Sequence, residues 1–195
     1  AFTDSHVVEN TVSLNGVSFI NGPVLSKTVC PVIQKQPTLS GTYGTPAGSL
    51  TLGDGSVTAS DGTLILGNWR VNPDDEDLLL KPGTSEQVRV VFEPATKDME
   101  TLSFSVTPTI EAKSLRDSDI LVTIEPKEFI YDGKEKTPSV TITYGRSIID
   151  PSLPALNLTE NIDFTVSYNN NVEISEDEAQ IIIQGAGSYK DTRVV

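Results

Sequence analysis

Large apolar side chains recur at every second position in a series of short runs. Val140, Ile142 and Tyr144 alternate with Thr141 and Thr143, and Phe164, Val166 and Tyr168 alternate with Thr165 and Ser167. Val88, Val90 and Phe92 alternate with Arg89 and Glu93, and Leu102, Phe104 and Val106 with Ser103 and Ser105. A period of two predicts strands with one buried and one polar face. Leu64 and Leu66, followed by Trp69 and Val71 after the Gly67 interruption, extend the same pattern. No stretch keeps a helical period over the roughly 11 residues of an average helix. The nearest, Asp74 to Lys81 and Ser152 to Glu160, are limited to a turn or two by Pro82 and Pro154.

Turn signals separate the runs. Asp132-Gly133 predicts a sharp reversal after Tyr131, because Asp bonds its own backbone and Gly tolerates positive φ. Pro138 then biases Thr137 toward an extended conformation and leads into the next strand. Asn169, Asn170 and Asn171 end the strand before them and predict a hairpin. Upstream, Val7 to Ile33 is split by Asn15-Gly16 and Asn21-Gly22-Pro23, with Val17 and Phe19 reading as strand. This lead is either the remnant of a preceding repeat or the first strands of the next module. The charged segment Glu111 to Asp119, poor in large apolar residues, is the expected boundary between residues 1–112 and 113–195. Short strands between Gly and Pro predict an all-β chain of two tandem small immunoglobulin-like β-sandwich modules. Each is near the size at which burial suffices for folding without disulfides or metals. A β-grasp-like second module is the alternative, and it requires a helix at Ile149 to Asn161, a stretch that carries two prolines.

Three further runs carry a resemblance. YDGKEKTPSVTI (Tyr131 to Ile142), DFTVSYNNN (Asp163 to Asn171) and IIIQGAGSYKDT (Ile181 to Thr192) resemble a repeat module of bacterial cell-surface proteins, of the kind described as MBG-type or bacterial immunoglobulin-like domains. Ser188 stands where that family usually has Asn, and Ser175 to Glu178 replaces its usual small-residue turn. TYGTPAGSLTLG (Thr42 to Gly53), GNWRV (Gly67 to Val71) and PGTSEQVRVVFEP (Pro82 to Pro94) are similar to another bacterial surface repeat. The resemblance implies two related, non-identical β modules in tandem, placed outside the cell.

The chain has 27 acidic and 14 basic residues, a net charge of −13. It is shared almost evenly, −7 up to Ala112 and −6 from Lys113 onward. Nucleic acid is set aside as a partner, since a phosphate backbone requires clustered Lys and Arg. No apolar run approaches the roughly 18 residues of a membrane helix, so no membrane insertion is expected within this segment. Ala1 opens without Met and without a signal peptide's charged and apolar regions, as expected of a segment of a longer exported protein. Cys30 is the only cysteine, which excludes an internal disulfide framework. It reads as a small buried hydrophobe, and His6, the only His, lies in a polar terminal stretch.

Candidate chemistry is sparse. Asp74, Asp75, Glu76 and Asp77 form the densest carboxylate cluster, and hard cations such as calcium take several oxygens, but the Gly-punctuated spacing of a calcium loop is missing. The group Glu173 to Glu178 reads as an acidic hairpin tip. No nucleophile elbow and no phosphate-cradling Gly-rich loop is present, so no catalytic residue and no cofactor is assigned. Trp69, Tyr144 and Tyr168 fall in phase with buried strand positions, while Tyr43, Tyr131 and Tyr189 stand beside Gly-containing turns. Lys127, Lys134 and Lys136 read as exposed, and the sequon Asn157-Leu158-Thr159 as incidental. The expectation is a non-catalytic spacer in a secreted or cell-surface, adhesin-like bacterial protein, with neighbouring domains of a larger protein as its partners. The alternative is a recognition module for a host glycoprotein or polysaccharide that uses loops at one end of a sandwich. Its ligand residues are not assigned by the sequence, and calcium at Asp74, Asp75 and Asp77 is left open.

Overall fold

A computed structural model describes residues 31–96, 99–146, 149, 151–173 and 179–195, together with the backbone of strands lying between residues 7 and 25. His6, Cys30 and residues 174–178 of the acidic hairpin tip lie outside the described residues. The described chain is all-β, with several small sheets, short 3-10 turns and no α-helix. In the lead segment, β1 (Val7–Val8) pairs with β4 (Val24–Leu25), and β2 (Thr11–Leu14) with β3 (Val17–Ile20).

Three three-stranded sheets follow. The first contains β5 (Val32–Lys35), β8 (Ser56–Thr58) and β9 (Leu64–Ile65). In the second, β6 (Leu39–Thr42) lies between β7 (Thr51–Leu52) and β13 (Thr109–Glu111), and β6 and β13 run parallel. The third is the antiparallel series β10 (Gly67–Val71), β11 (Val88–Pro94) and β12 (Leu102–Val106). The alternation noted in β11 sets its register: Val88 faces Val106, Val90 faces Phe104, and Phe92 faces Leu102. Val88, Val90 and Phe92 are buried, each contributing about 1.5 to 3 kcal/mol on leaving water. Trp69 is half-buried, 4.7 Å from the Phe92 ring and edge-on to Phe104 at 5.4 Å, and so joins two neighbouring apolar clusters.

One phase differs from the sequence pattern. Leu64 and Leu66 face solvent and Ile65 is buried. A tight reversal decides this: the amide of Ala59 donates to Thr63 O and that of Gly62 to Ala59 O, with Gly62 at φ +87. The turn pairs Val57 with Ile65, so the odd-numbered residue faces the core.

From Lys113 onward the pairing changes partners. β14 (Lys113–Ser114) runs parallel to β20 (Tyr189–Lys190). One sheet is β15 (Ile120–Glu125), β16 (Ser139–Tyr144) and β17 (Leu156–Asn157); the other is β18 (Phe164–Asn169), β19 (Gln180–Gly185) and β21 (Thr192–Val194). Ile120, Ile142, Tyr144, Phe164, Ile183 and Tyr189 fill the core of this group. The stretch that a β-grasp arrangement needs as a helix holds turns and the strand Leu156–Asn157 among its described residues. That alternative is therefore corrected: Leu156 pairs with Tyr144, and the backbone joins a ladder instead of closing helical turns.

The two strand groups meet around Ala112. On one side, the amide of Tyr43 donates to Glu111 O at 2.8 Å; on the other, the amide of Lys113 donates to Ser188 O at 3.0 Å. The Tyr43 ring meets Tyr189 edge-on at 5.5 Å and packs against both cores.

Candidate binding cleft

Register places Ile120 opposite Tyr144 and Phe164 opposite Gly185 at one end of the C-terminal ladders, and Glu125 opposite Ser139 and Asn169 opposite Gln180 at the other. A cleft of about 410 Å³ lies there, with Ile124, Phe129, Tyr131, Tyr168 and Ile181 among its apolar lining. Lys127, Lys136 and Asn171 add polar groups.

The turn foreseen from Asp132-Gly133 shapes the cleft. Gly133 has φ +72, Asp132 accepts from the amide of Lys134, and the Lys136 ammonium bonds the same carboxylate. The Lys136 ammonium, more than any other neighbour, holds the Asp132 carboxyl below its usual range. Behind the turn, Lys136 and Asn171 are tied twice: the Lys136 amide donates to Asn171 O, and Asn171 Nδ2 donates to Lys136 O. The Tyr168 hydroxyl donates to Pro138 O. Tyr168 is thus anchored with its ring in the lining, Tyr144 and Tyr189 are buried, and Tyr131 is exposed at the cleft. Lys127 and Lys134 are exposed, whereas Lys136 is partly covered. Asn157 of the sequon is exposed on β17 and accepts from the Thr143 hydroxyl.

The carboxylate cluster has a different role. Asn72 caps the 3-10 turn Pro73–Asp75 by accepting from the Asp74 amide. Asp75 is buried and accepts from Arg89 three times: from the amide at 2.8 Å, Nε at 3.1 Å and Nη2 at 2.7 Å. Arg89 Nη2 also reaches Asp74 at 3.2 Å, while Asp77 is exposed. A guanidinium therefore stands where a cation would need these oxygens, and no group of three metal-ligating side chains occurs among the described residues. The Arg89 side chain, then its amide, holds the Asp75 carboxyl below the usual range against the opposing effect of burial. A depressed folded pKa stabilises above the unfolded value and is lost as pH falls through the folded one. Asp75→Asn is accordingly expected to lower the urea midpoint at neutral pH, with the gap to the parent closing below the ordinary carboxylate range.

Sequence reasoning missed a second ionic group. Lys113 and Asp119 have side chains only 11% and 10% exposed, with Lys113 Nζ 2.9 Å from Asp119 Oδ2 and 2.8 Å from Asp117 Oδ2. The ammonium sits 4.9 Å from the centre of the Tyr144 ring. Asp119 Oδ1 is buried with no hydrogen-bond partner among the described residues. Burial pulls the Lys113 pKa down, but the bonds its ammonium donates to Asp117 and Asp119 outweigh it, so the amine is held protonated above its ordinary range. A lysine kept charged in this way acts as a latch and not as a nucleophile. The available signal was a lysine with Asp at i+4 and i+6 in the expected boundary segment.

No protein-family model matches the chain, and no curated protein or solved structure matches it.

Proposed function

We propose that this chain consists of two tandem immunoglobulin-like sandwich modules that serve as a non-catalytic spacer in an exported, adhesin-like bacterial surface protein. The observation that carries this reading is the junction at Ala112. One residue separates β13, paired with the first strand group, from β14, paired with the second. A single-residue connection flanked by laddered strands, with Tyr43 against Tyr189 and Lys113 latched beside it, leaves little hinge freedom, which suits a part that sets a distance. An even negative charge adds resistance to self-association.

The alternative is recognition of a host glycoprotein or polysaccharide, and the aromatic lining of the cleft favours it. Glycan-array and mucin-binding measurements on the chain separate the two. Silence across both is the expected result. Saturable binding that Tyr131→Ala abolishes overturns the spacer reading in favour of recognition.

A further inference from the structure

The chain contains three Asp-Gly steps, Asp54-Gly55, Asp61-Gly62 and Asp132-Gly133, and such a step holds the groups for a rearrangement of the main chain. With no side chain on Gly to shield it, the Gly amide nitrogen can attack Cγ of the protonated Asp carboxyl. An N–Cγ bond forms, the Cγ–OH bond breaks, and the hydroxyl leaves with the amide proton as water. Water then opens the cyclic imide. Addition at Cγ breaks the new bond and restores Asp, whereas addition at the main-chain carbonyl breaks that carbon's bond to nitrogen. The second route leaves isoaspartate, with the chain running through the former side chain and no net change in atoms.

Two of the three steps have their reacting groups engaged. Asp61 Oδ1 accepts from the Thr63 amide at 3.1 Å, and the Gly62 amide donates to Ala59 O at 2.9 Å. Asp132 Oδ1 accepts from the Lys134 amide at 3.0 Å and from the Lys136 ammonium, which keeps the carboxyl ionised and a poor target for attack. Asp54 is exposed, and neither its carboxyl nor the Gly55 amide has a hydrogen-bond or ion-pair partner among the described residues.

The surroundings of Asp54 make the reaction consequential. It lies where the chain crosses from β7 to β8, between two sheets. On one side the Gly53 amide donates to Thr38 O at 2.7 Å. On the other, a Cβ on Gly55 would stand 2.9 Å from Pro37 Cδ and from Cε2 of Trp69, the only Trp. Isoaspartate inserts an extra main-chain atom between these fixed points. Sliding β8 to its next register would turn Val57, fully buried and paired with Ile33 and Ile65, toward solvent. The added length therefore presses on Pro37 and Trp69.

We infer that Asp54-Gly55 is a site of spontaneous isoaspartate formation, preferred over the other two Asp-Gly steps, and that conversion there loosens the packing of Trp69. This goes beyond the spacer reading and does not depend on it.

The test ages the full chain, and synthetic peptides spanning each step, at physiological temperature and mildly acidic pH, and locates isoaspartate by electron-transfer fragmentation of digests. Expected are comparable rates for the three peptides. In the folded chain, conversion at residue 54 should be severalfold faster than at residues 61 and 132, with Trp69 emission moving to the red in proportion to it. Asp54→Glu, which would have to close a larger and slower ring, abolishes both changes. The distribution among the three steps in the parent chain stands as a readout even where the variant fails to fold. No isoaspartate at residue 54, or as much at residue 61 or 132, overturns the inference. So does the same ranking in the peptides, which assigns the preference to local sequence, or an equal drift of Trp69 emission in Asp54→Glu.

Discussion

Replacing Gly44 with alanine is expected to destabilise the protein by about 2 to 4 kcal/mol, with a fall in Tm of roughly 5 to 15 °C by thermal circular dichroism. Two costs coincide. Gly44 has φ +94, a conformation in which a Cβ meets its own backbone. The added Cβ would also overlap Tyr144 Cε1 and stand 2.9 Å from Cζ and Oη of the same ring. Tyr144 is buried and packed in the C-terminal core, so it cannot swing aside without opening that core. Gly62 supplies the control: at φ +87 it has nothing within 4 Å of an added Cβ. Gly62→Ala therefore carries the backbone cost alone, about 1 kcal/mol. Equal losses for the two variants would show that the contact between Gly44 and Tyr144 has no energetic weight.

The second large effect is at Lys113. Lys113→Met strands the buried Asp119 carboxylate and is expected to cost about 2 to 4 kcal/mol, somewhat below the range for a fully enclosed pair because Asp117 is 43% exposed. The double variant Lys113→Met, Asp119→Leu removes both charges and should return to within about 1.5 kcal/mol of the parent. Urea unfolding of the four members of the cycle measures the coupling. The pH dependence has a definite sign. A raised lysine pKa gives stability that is complete below the ordinary value of 10.5 and lost as pH rises through the folded value, so the parent weakens in strong alkali and the double variant is spared this loss. A double variant no more stable than Lys113→Met would mean that the pair acts through packing alone.

The parts of the structure legible in the sequence are those that a period of two decides. Val140, Ile142 and Tyr144, and Phe164, Val166 and Tyr168, show their less exposed faces as the alternation requires, because a polar residue at every second position leaves only one face to bury. Asp132-Gly133 is legible for a local reason, an Asx side chain beside a residue at positive φ. Leu64, Ile65 and Leu66 are consecutive apolar residues, so pattern alone offers two phases, and the hydrogen bonds of the Ala59–Thr63 reversal select one. Lys113 and Asp119 lie in the charged segment that reads as a boundary; their spacing hints at a pair, but their burial depends on the packing of Tyr144, which that spacing does not encode. The cleft depends on the same kind of distant meeting, since Phe129 and Tyr131 share its lining with Tyr168 and Ile181, which belong to strands of a different sheet.

The parallel pairings at the junction have a mechanical consequence. Tension entering through Leu39–Thr42 and leaving through Thr109–Glu111 acts along two strands that point the same way, so their hydrogen bonds are loaded together in shear and do not unzip one at a time. Lys113–Ser114 continues directly into the same arrangement against Tyr189–Lys190. A pull along the chain thus passes from one shear-loaded ladder to the next across a single residue, Ala112.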